Sequence, residues 1–276
     1  QIRLLVDFCW PVAFAVAFNW AHMQGYRFLL AEHGGFGELG IFAAGYGVAA
    51  ALLAAMEMVL ATKLQPEFYR QANHTDEMVR NAAWRNYAQV LVPASVLGVA
   101  AVITAAPDLA SVMLGPAYRA SSRYVALGAC AEWARVMVGV FVLNAHLHMN
   151  TRSLIVPNFC GALLTLVCIA ILLPRWGLSV APIAAMLGGL LVMWVLYSQA
   201  LGRHDEMHLD WSGISKALLV AIMLISSGAG WREWVAEKGW EVSPLLSLSL
   251  LGLIWLTVIG SLFRNKLIRP LMRESL

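Results

Sequence analysis

Apolar residues fill this chain in long blocks separated by short polar links, and eight blocks can be drawn as membrane spans. A span needs about twenty residues of predominantly apolar character. Span one runs from Leu4 to Trp20 and carries Pro11, which predicts a kink. An interfacial stretch, Met23–Gly37, leads into span two, Leu39–Leu60. A polar, amphipathic segment follows, Lys63–Tyr87, and then span three, Ala88–Ala105. A loop with Pro107, Asp108 and Pro116 precedes span four, Tyr124–Leu147. The short link His146–Arg152 leads to span five, Ser153–Leu173, and Pro174–Gly177 predicts a tight turn into span six, Leu178–Leu201. Polar residues Gly202–Ser212 separate off span seven, Ile214–Gly230, and the turn Trp231–Val242 feeds span eight, Pro244–Phe263. The pattern predicts an all-α, polytopic membrane helix bundle. Short links predict antiparallel neighbours, with spans three to six forming two hairpins.

Span four breaks the apolar rule. Glu132 and Arg135 stand near its middle, where a charge costs roughly 2.5–3.5 kcal/mol even on gentle insertion scales. A spacing of three places both on one helical face, so they can pair or point together into a pathway. As a self-neutralised pair they would face protein or water; as a cationic site, Glu132 would position Arg135 or exchange a proton. Both readings stand on the residues alone.

Composition agrees with the spans. Hydrophobic residues make up 60% of the chain and charged ones 13%, with a mean hydropathy of +0.70, which leaves little room for a soluble domain. The net charge of +3 reflects loop Lys and Arg. No basic cluster is interleaved with aromatics on a polar face, so no nucleic-acid partner is expected. Lys and Arg set the orientation. One side holds twelve: Arg3, Lys63, Arg70, Arg80, Arg85, Arg152, Arg203, Lys216, Arg264, Lys266, Arg269 and Arg273. The other holds six: Arg27, Arg119, Arg123, Arg175, Arg232 and Lys238. Both termini are therefore expected in the cytoplasm, with Trp176, Trp231, Trp234 and Trp240 as an aromatic belt on the opposite face. The chain opens on Gln1 directly ahead of a complete span, without a charged leader region, so further helices are expected upstream.

Other polar residues suggest smaller roles. Arg27 lies in an apolar run between spans one and two, either snorkelling to phosphate or held at a cavity mouth. Glu57 is read as a residue of the mouth of span two reaching water, with a proton relay as the alternative. Asp7, four residues after Arg3, suits an i,i+4 pair. His146 and His148 form an HxH, but alternate helical residues point roughly 200° apart and no further ligand is near, so no metal is expected. Cys9, Cys130, Cys160 and Cys168 sit in apolar spans as small buried hydrophobes. No GxSxG elbow, HExxH or glycine-rich phosphate loop is present, so no catalysis and no cofactor are expected.

Around Arg27 the order of residues becomes familiar. GYRFLLAEHGGFGELGIFAAGYGVA resembles the segment that links the seventh and eighth helices of polysaccharide flippases. In those proteins an Arg-bearing apolar run and a short turn precede a Leu-Gly-Ile-aromatic helix start, here Leu39, Gly40, Ile41 and Phe42. LQPEFYR (Leu64–Arg70) resembles the cytoplasmic Pro-containing segment of the family, and MLGPAYRASS (Met113–Ser122) its external turn. LPRWGLSVAPIAAMLG (Leu173–Gly188) resembles the turn into the twelfth helix. The family is the polysaccharide transporter branch of the multidrug/oligosaccharidyl-lipid/polysaccharide flippase superfamily. The likeness covers residues 1–202. One departure is Tyr26, where many relatives carry an acidic residue before the Arg.

The resemblance implies that residues 1–202 are the six-helix C-terminal lobe of a two-lobe transporter, whose N-terminal lobe is missing. Residues 203–276 would then be two extra C-terminal spans with a basic cytoplasmic tail. The implied partner is a polyprenyl-pyrophosphate-linked oligosaccharide, flipped across the bacterial inner membrane. Guanidinium suits pyrophosphate, so Arg135 and Arg27 become headgroup contacts, and with Glu132 and Glu57 they make up the substrate-binding candidates. The alternatives are a cation-coupled multidrug antiporter of the same superfamily, a membrane-integral glycan polymerase or glycosyltransferase, and a passive scaffold subunit.

Overall fold

The computed structural model describes residues 2–74, 76–201, 209–239 and 242–263. They form eight α-helices, and no strand occurs among the described residues. The helices are α1 (Ile2–Gln24), α2 (Tyr26–Ala72), α3 (Glu77–Met113), α4 (Ser122–Leu147), α5 (Ile155–Trp176), α6 (Val180–Leu201), α7 (Trp211–Glu237) and α8 (Pro244–Phe263). The all-α polytopic bundle read from the sequence is what the chain forms. Five helical stretches are long and apolar enough to cross a bilayer: Phe36–Ala72, Glu77–Met113, Ala117–Leu147, Thr151–Gln199 and Trp211–Glu237. The fourth contains both α5 and α6, which reverse at Gly177, whose φ of +64° suits a residue without a Cβ. Expected spans one and eight are present as helices α1 and α8 but are not among these five stretches.

The helices overrun their apolar blocks. The polar segment Lys63–Tyr87 is absorbed into the end of α2 and the start of α3, leaving only a short turn around Asn73. Three local features extend them. Glu67 pairs with Arg70 at 2.6 Å and accepts from Gln71, while Asp76 caps α3 by accepting from the backbone N–H of Met78 at 2.9 Å. Buried Phe68, Trp84 and Tyr87 then dock these extensions onto the bundle. Likewise Pro107 and Asp108, expected in a loop, belong to α3, and Trp231 and Trp234, expected in a turn, belong to α7.

The run Tyr26–Ala72 is helical throughout but is not one rod. A straight helix would separate Tyr26 from Phe42 by about 24 Å. Their ring centroids are 5.1 Å apart, and Tyr26 lies 5.9 Å from the Tyr46 ring. The chain therefore doubles back between these residues, inside the stretch read as interfacial. This reversal caps one end of the bundle beside Tyr124, Leu173, Leu178 and Val180. At the other end Phe68, Trp84, Tyr87, Phe141, Leu154 and Leu196 form a second cluster.

Between these two ends α4 is the hub, packed against α2, α3 and α6. The expected hairpins are present, with α3 against α4 and α5 against α6, while α1 lies along α5. Helices α7 and α8 pack on α3 from outside. Arg232 of α7 donates to the Thr104 carbonyl at 2.6 Å and to Asp108 at 2.7 Å, and Ser247 of α8 donates to the same Asp108 oxygen at 2.9 Å. Asp7 lies 4.0 Å from Arg152, across the bundle end, and the Arg3 side chain is outside those described. Trp176, Trp231 and Trp234 are all exposed; Trp240, Arg203 and the tail residues Arg264, Lys266, Arg269 and Arg273 lie outside the described residues. Cys9 is exposed, against the burial expected of it, while Cys130, Cys160 and Cys168 are part-buried and Cys168 packs against the cluster at the capped end. A lipid-facing position is as apolar as a core one, so hydropathy does not separate Cys9 from the core.

Tight crossings hold the bundle together. A Cβ on Gly188 would stand 2.8 Å from the Gly161 carbonyl and 2.9 Å from Nε2 of His22, which bonds the Ala185 carbonyl at 2.8 Å. Gly188→Ala is expected to cost about 1–3 kcal/mol through overpacking at this three-helix contact. It should lower the thermal midpoint of the detergent-solubilised protein by several degrees. Gly47→Ala, at an exposed site with open space for the methyl group, should leave the midpoint unchanged.

Candidate functional site

The two charged residues of α4 sit in a four-member network shared with α2. Spacing of three on α4 brings Arg135 Nε to 2.6 Å from Glu132 Oε2. Arg135 Nη2 reaches across to Glu57 Oε2 at 2.8 Å, and the Tyr46 hydroxyl donates to Glu132 Oε1 at 2.7 Å. Tyr46 and Glu57 are eleven residues apart, three helical turns, so they present on one face of α2. That face is turned to α4, which runs parallel to this part of α2, so the upper pair and the lower pair close the network at two levels.

Burial is graded through the network. Glu132 is buried and satisfied on both oxygens, whereas the Arg135 and Glu57 side chains keep 29% and 27% of their surface exposed. The exposed portion opens beside Gly139, itself exposed on α4; a Cβ there would lie 3.9 Å from Glu57 Oε1. Such an ion pair at mid-helix depth is not a surface decoration. In a low-dielectric bundle its members depend on each other for neutralisation. With both carboxylates ionised and one guanidinium, the cluster carries one net negative charge.

The structure thus brings three of the four predicted site residues together. Glu57, read as a water-reaching residue at the mouth of span two, is the cross-helix partner of Arg135. Arg27 is not part of the cluster. It is exposed at the capped end of the bundle, with Nε 3.4 Å from the Tyr26 hydroxyl and its guanidinium carbon 5.9 Å from that ring. Tyr26 in turn touches Tyr46, so an aromatic step lies between Arg27 and the charged network. Tyr46 was not singled out from the sequence; its eleven-residue spacing to Glu57 is the signal that could have found it. His146, of the expected HxH, packs its ring 6.0 Å from Phe8. Among the described residues no group of three His, Cys, Asp or Glu side chains is placed to hold a metal ion.

Comparison of the chain with protein-family models, with curated proteins and with solved structures finds no match. Its chemistry is therefore argued from the site. The arrangement holds one guanidinium at depth between two carboxylates at once, a buried one on its own helix and a part-exposed one on the neighbouring helix.

Removing Arg135 alone leaves Glu132 buried without its cation. Arg135→Met should destabilise the purified protein by about 3–5 kcal/mol. The double variant Arg135→Met/Glu132→Met removes the buried carboxylate as well and should recover part of that loss, the remainder reflecting Glu57 and the Tyr46 hydroxyl, which it leaves without their partners. Urea unfolding in mild detergent measures both, and a double variant as unstable as the single one would contradict the pairing. Tyr46→Phe, which deletes one hydrogen bond to a charged group, should cost about 1.5–3 kcal/mol by the same measurement.

Proposed function

We propose that the chain is the C-terminal lobe of a non-catalytic membrane transporter that flips a polyprenyl-pyrophosphate-linked oligosaccharide across the bacterial inner membrane. The observation that carries this reading is Arg135, a guanidinium at mid-bundle depth that retains 29% exposure instead of being sealed away. Membrane proteins place ionisable groups at such depth where a substrate or ion passes. The ordered motifs between Arg27 and Gly188 supply the choice of substrate, as a resemblance to polysaccharide flippases. Alternating access in such machines works between two lobes, with the headgroup between them. The half-open face of α2 and α4 at Glu57, Arg135 and Gly139 is then the face turned to the N-terminal lobe. The twelve-to-six division of Lys and Arg favours cytoplasmic termini, with the Phe68 end of the bundle inside.

A cation-coupled multidrug antiporter is the second reading, favoured by the net negative charge of the cluster. The two separate on phenotype. Under the flippase reading, Arg135→Gln in the intact parent protein abolishes export of surface glycan, and the lipid-linked precursor accumulates on the cytoplasmic leaflet. Full flipping in both Arg135→Gln and Arg135→Ala would sink it. Sensitivity to cationic dyes with normal surface glycan would move the assignment to the antiporter.

A further inference from the structure

Arg135 is shared between two carboxylates that are held very differently. Glu132 lies one turn back on the same helix, is buried, and is pinned through its second oxygen by Tyr46. Glu57 comes from the neighbouring helix, is 27% exposed, and meets Arg135 through a single oxygen at 2.8 Å. Its other oxygen faces the open side at Gly139. One arm of the guanidinium meets a buried carboxylate of its own helix, and the other a part-exposed carboxylate of the neighbouring one.

Resting on the reading of Arg135 as an anion contact, we propose that Glu57 is an exchange gate: a dianionic oxyanion headgroup displaces it from Arg135, and the displaced carboxylate takes up one proton. The step balances simply. The Arg135–Glu57 ion pair opens, hydrogen bonds from Arg135 Nη2 to the incoming oxyanion form, and a proton from water forms an O–H bond on Glu57. Arg135 stays cationic and stays anchored to Glu132 through Nε. The charged and titratable groups around Glu57 explain why a proton must enter. They are Arg135 and Glu132 on α4, with Tyr46 beyond Glu132 on α2 and Tyr87 on α3 within electrostatic reach of Glu57. Among these Arg135 is the one cation. An anion arriving while both carboxylates are ionised would share that single positive charge three ways, and protonating Glu57 removes one competitor.

The bound state therefore carries one more proton than the free state, so lowering the pH favours binding. Sulfate is a suitable probe, since its charge is fixed over the range. Its affinity for the full chain in lipid nanodiscs would be measured calorimetrically at ~pH 5.5 and ~pH 7.5, in buffers of different ionisation enthalpy. Wild type should bind more tightly at the lower pH, by up to about tenfold per unit, with uptake of up to one proton per sulfate. Glu57→Gln should bind tightly at both pH values with no proton uptake. Wild-type binding without proton uptake overturns the gate, as does a Glu57→Gln variant that keeps the pH dependence. The proton count in wild type stands even if Glu57→Gln fails to fold. Arg135→Gln separates the two layers. Unchanged sulfate binding in that variant overturns the anion-contact reading itself, whereas its loss alongside a wild-type-like Glu57→Gln overturns the exchange alone.

Discussion

A carboxylate at the midpoint of a membrane helix must be neutralised, and Glu132 is the point from which the rest of the bundle can be understood. Its two oxygens are met by Tyr46 from α2 and Arg135 from its own helix. Because Tyr46 and Glu57 share one face of α2, satisfying Glu132 and then Arg135 fixes both the rotation and the axial register of α2 against α4. An apolar contact tolerates sliding by part of a turn. This one does not, since a shift of one residue would leave an ionised group facing hydrocarbon.

The aromatic clusters at either end work with that constraint. Tyr26, Phe42, Tyr46 and Tyr124 gather at the capped end in mostly edge-on or tilted contacts, and Phe68, Trp84, Tyr87 and Phe141 gather at the other. Trp84 also donates its indole N–H to the Val140 carbonyl at 2.9 Å, tying α3 to the lower half of α4. Helix α4 is thereby held at both ends and at its centre, while Glu57, part-exposed like Arg135, is the one charged member of the network from outside it.

Much of this was legible in the sequence, and the limits have physical causes. Block length and hydropathy located the helices, and i,i+3 spacing located the Glu132–Arg135 pair. Helix ends were misjudged where polar side chains prolong a helix, as at Glu67, Arg70 and Asp76, because hydropathy registers the membrane boundary and not the hydrogen-bond ladder. Glu57 is read from the sequence as a water-reaching residue at the mouth of span two, with no partner assigned to it. Its partner lies on a helix far along the chain, and that register is set by packing. Arg27 was grouped with Arg135 by the resemblance and by guanidinium chemistry, while the doubling-back between Tyr26 and Phe42 holds it at the end of the bundle. The same reversal was readable only as an interfacial link, since a helical pattern says nothing about whether the helix is straight.

The clamp on Asp108 bears on how the chain can be divided. Arg232 and Ser247, from two different helices, converge on one carboxylate of α3 whose side chain is 16% exposed. The final helix pair looks like an appendage by sequence, yet it supplies the counterion for a residue of the core bundle. A version ending at Leu201 would strand that carboxylate, so a minimal six-helix form would have to be made with Asp108 neutralised. By the same token α7 and α8 are tied to α3 by charge as well as by apolar contact, and are not an independent belt around it.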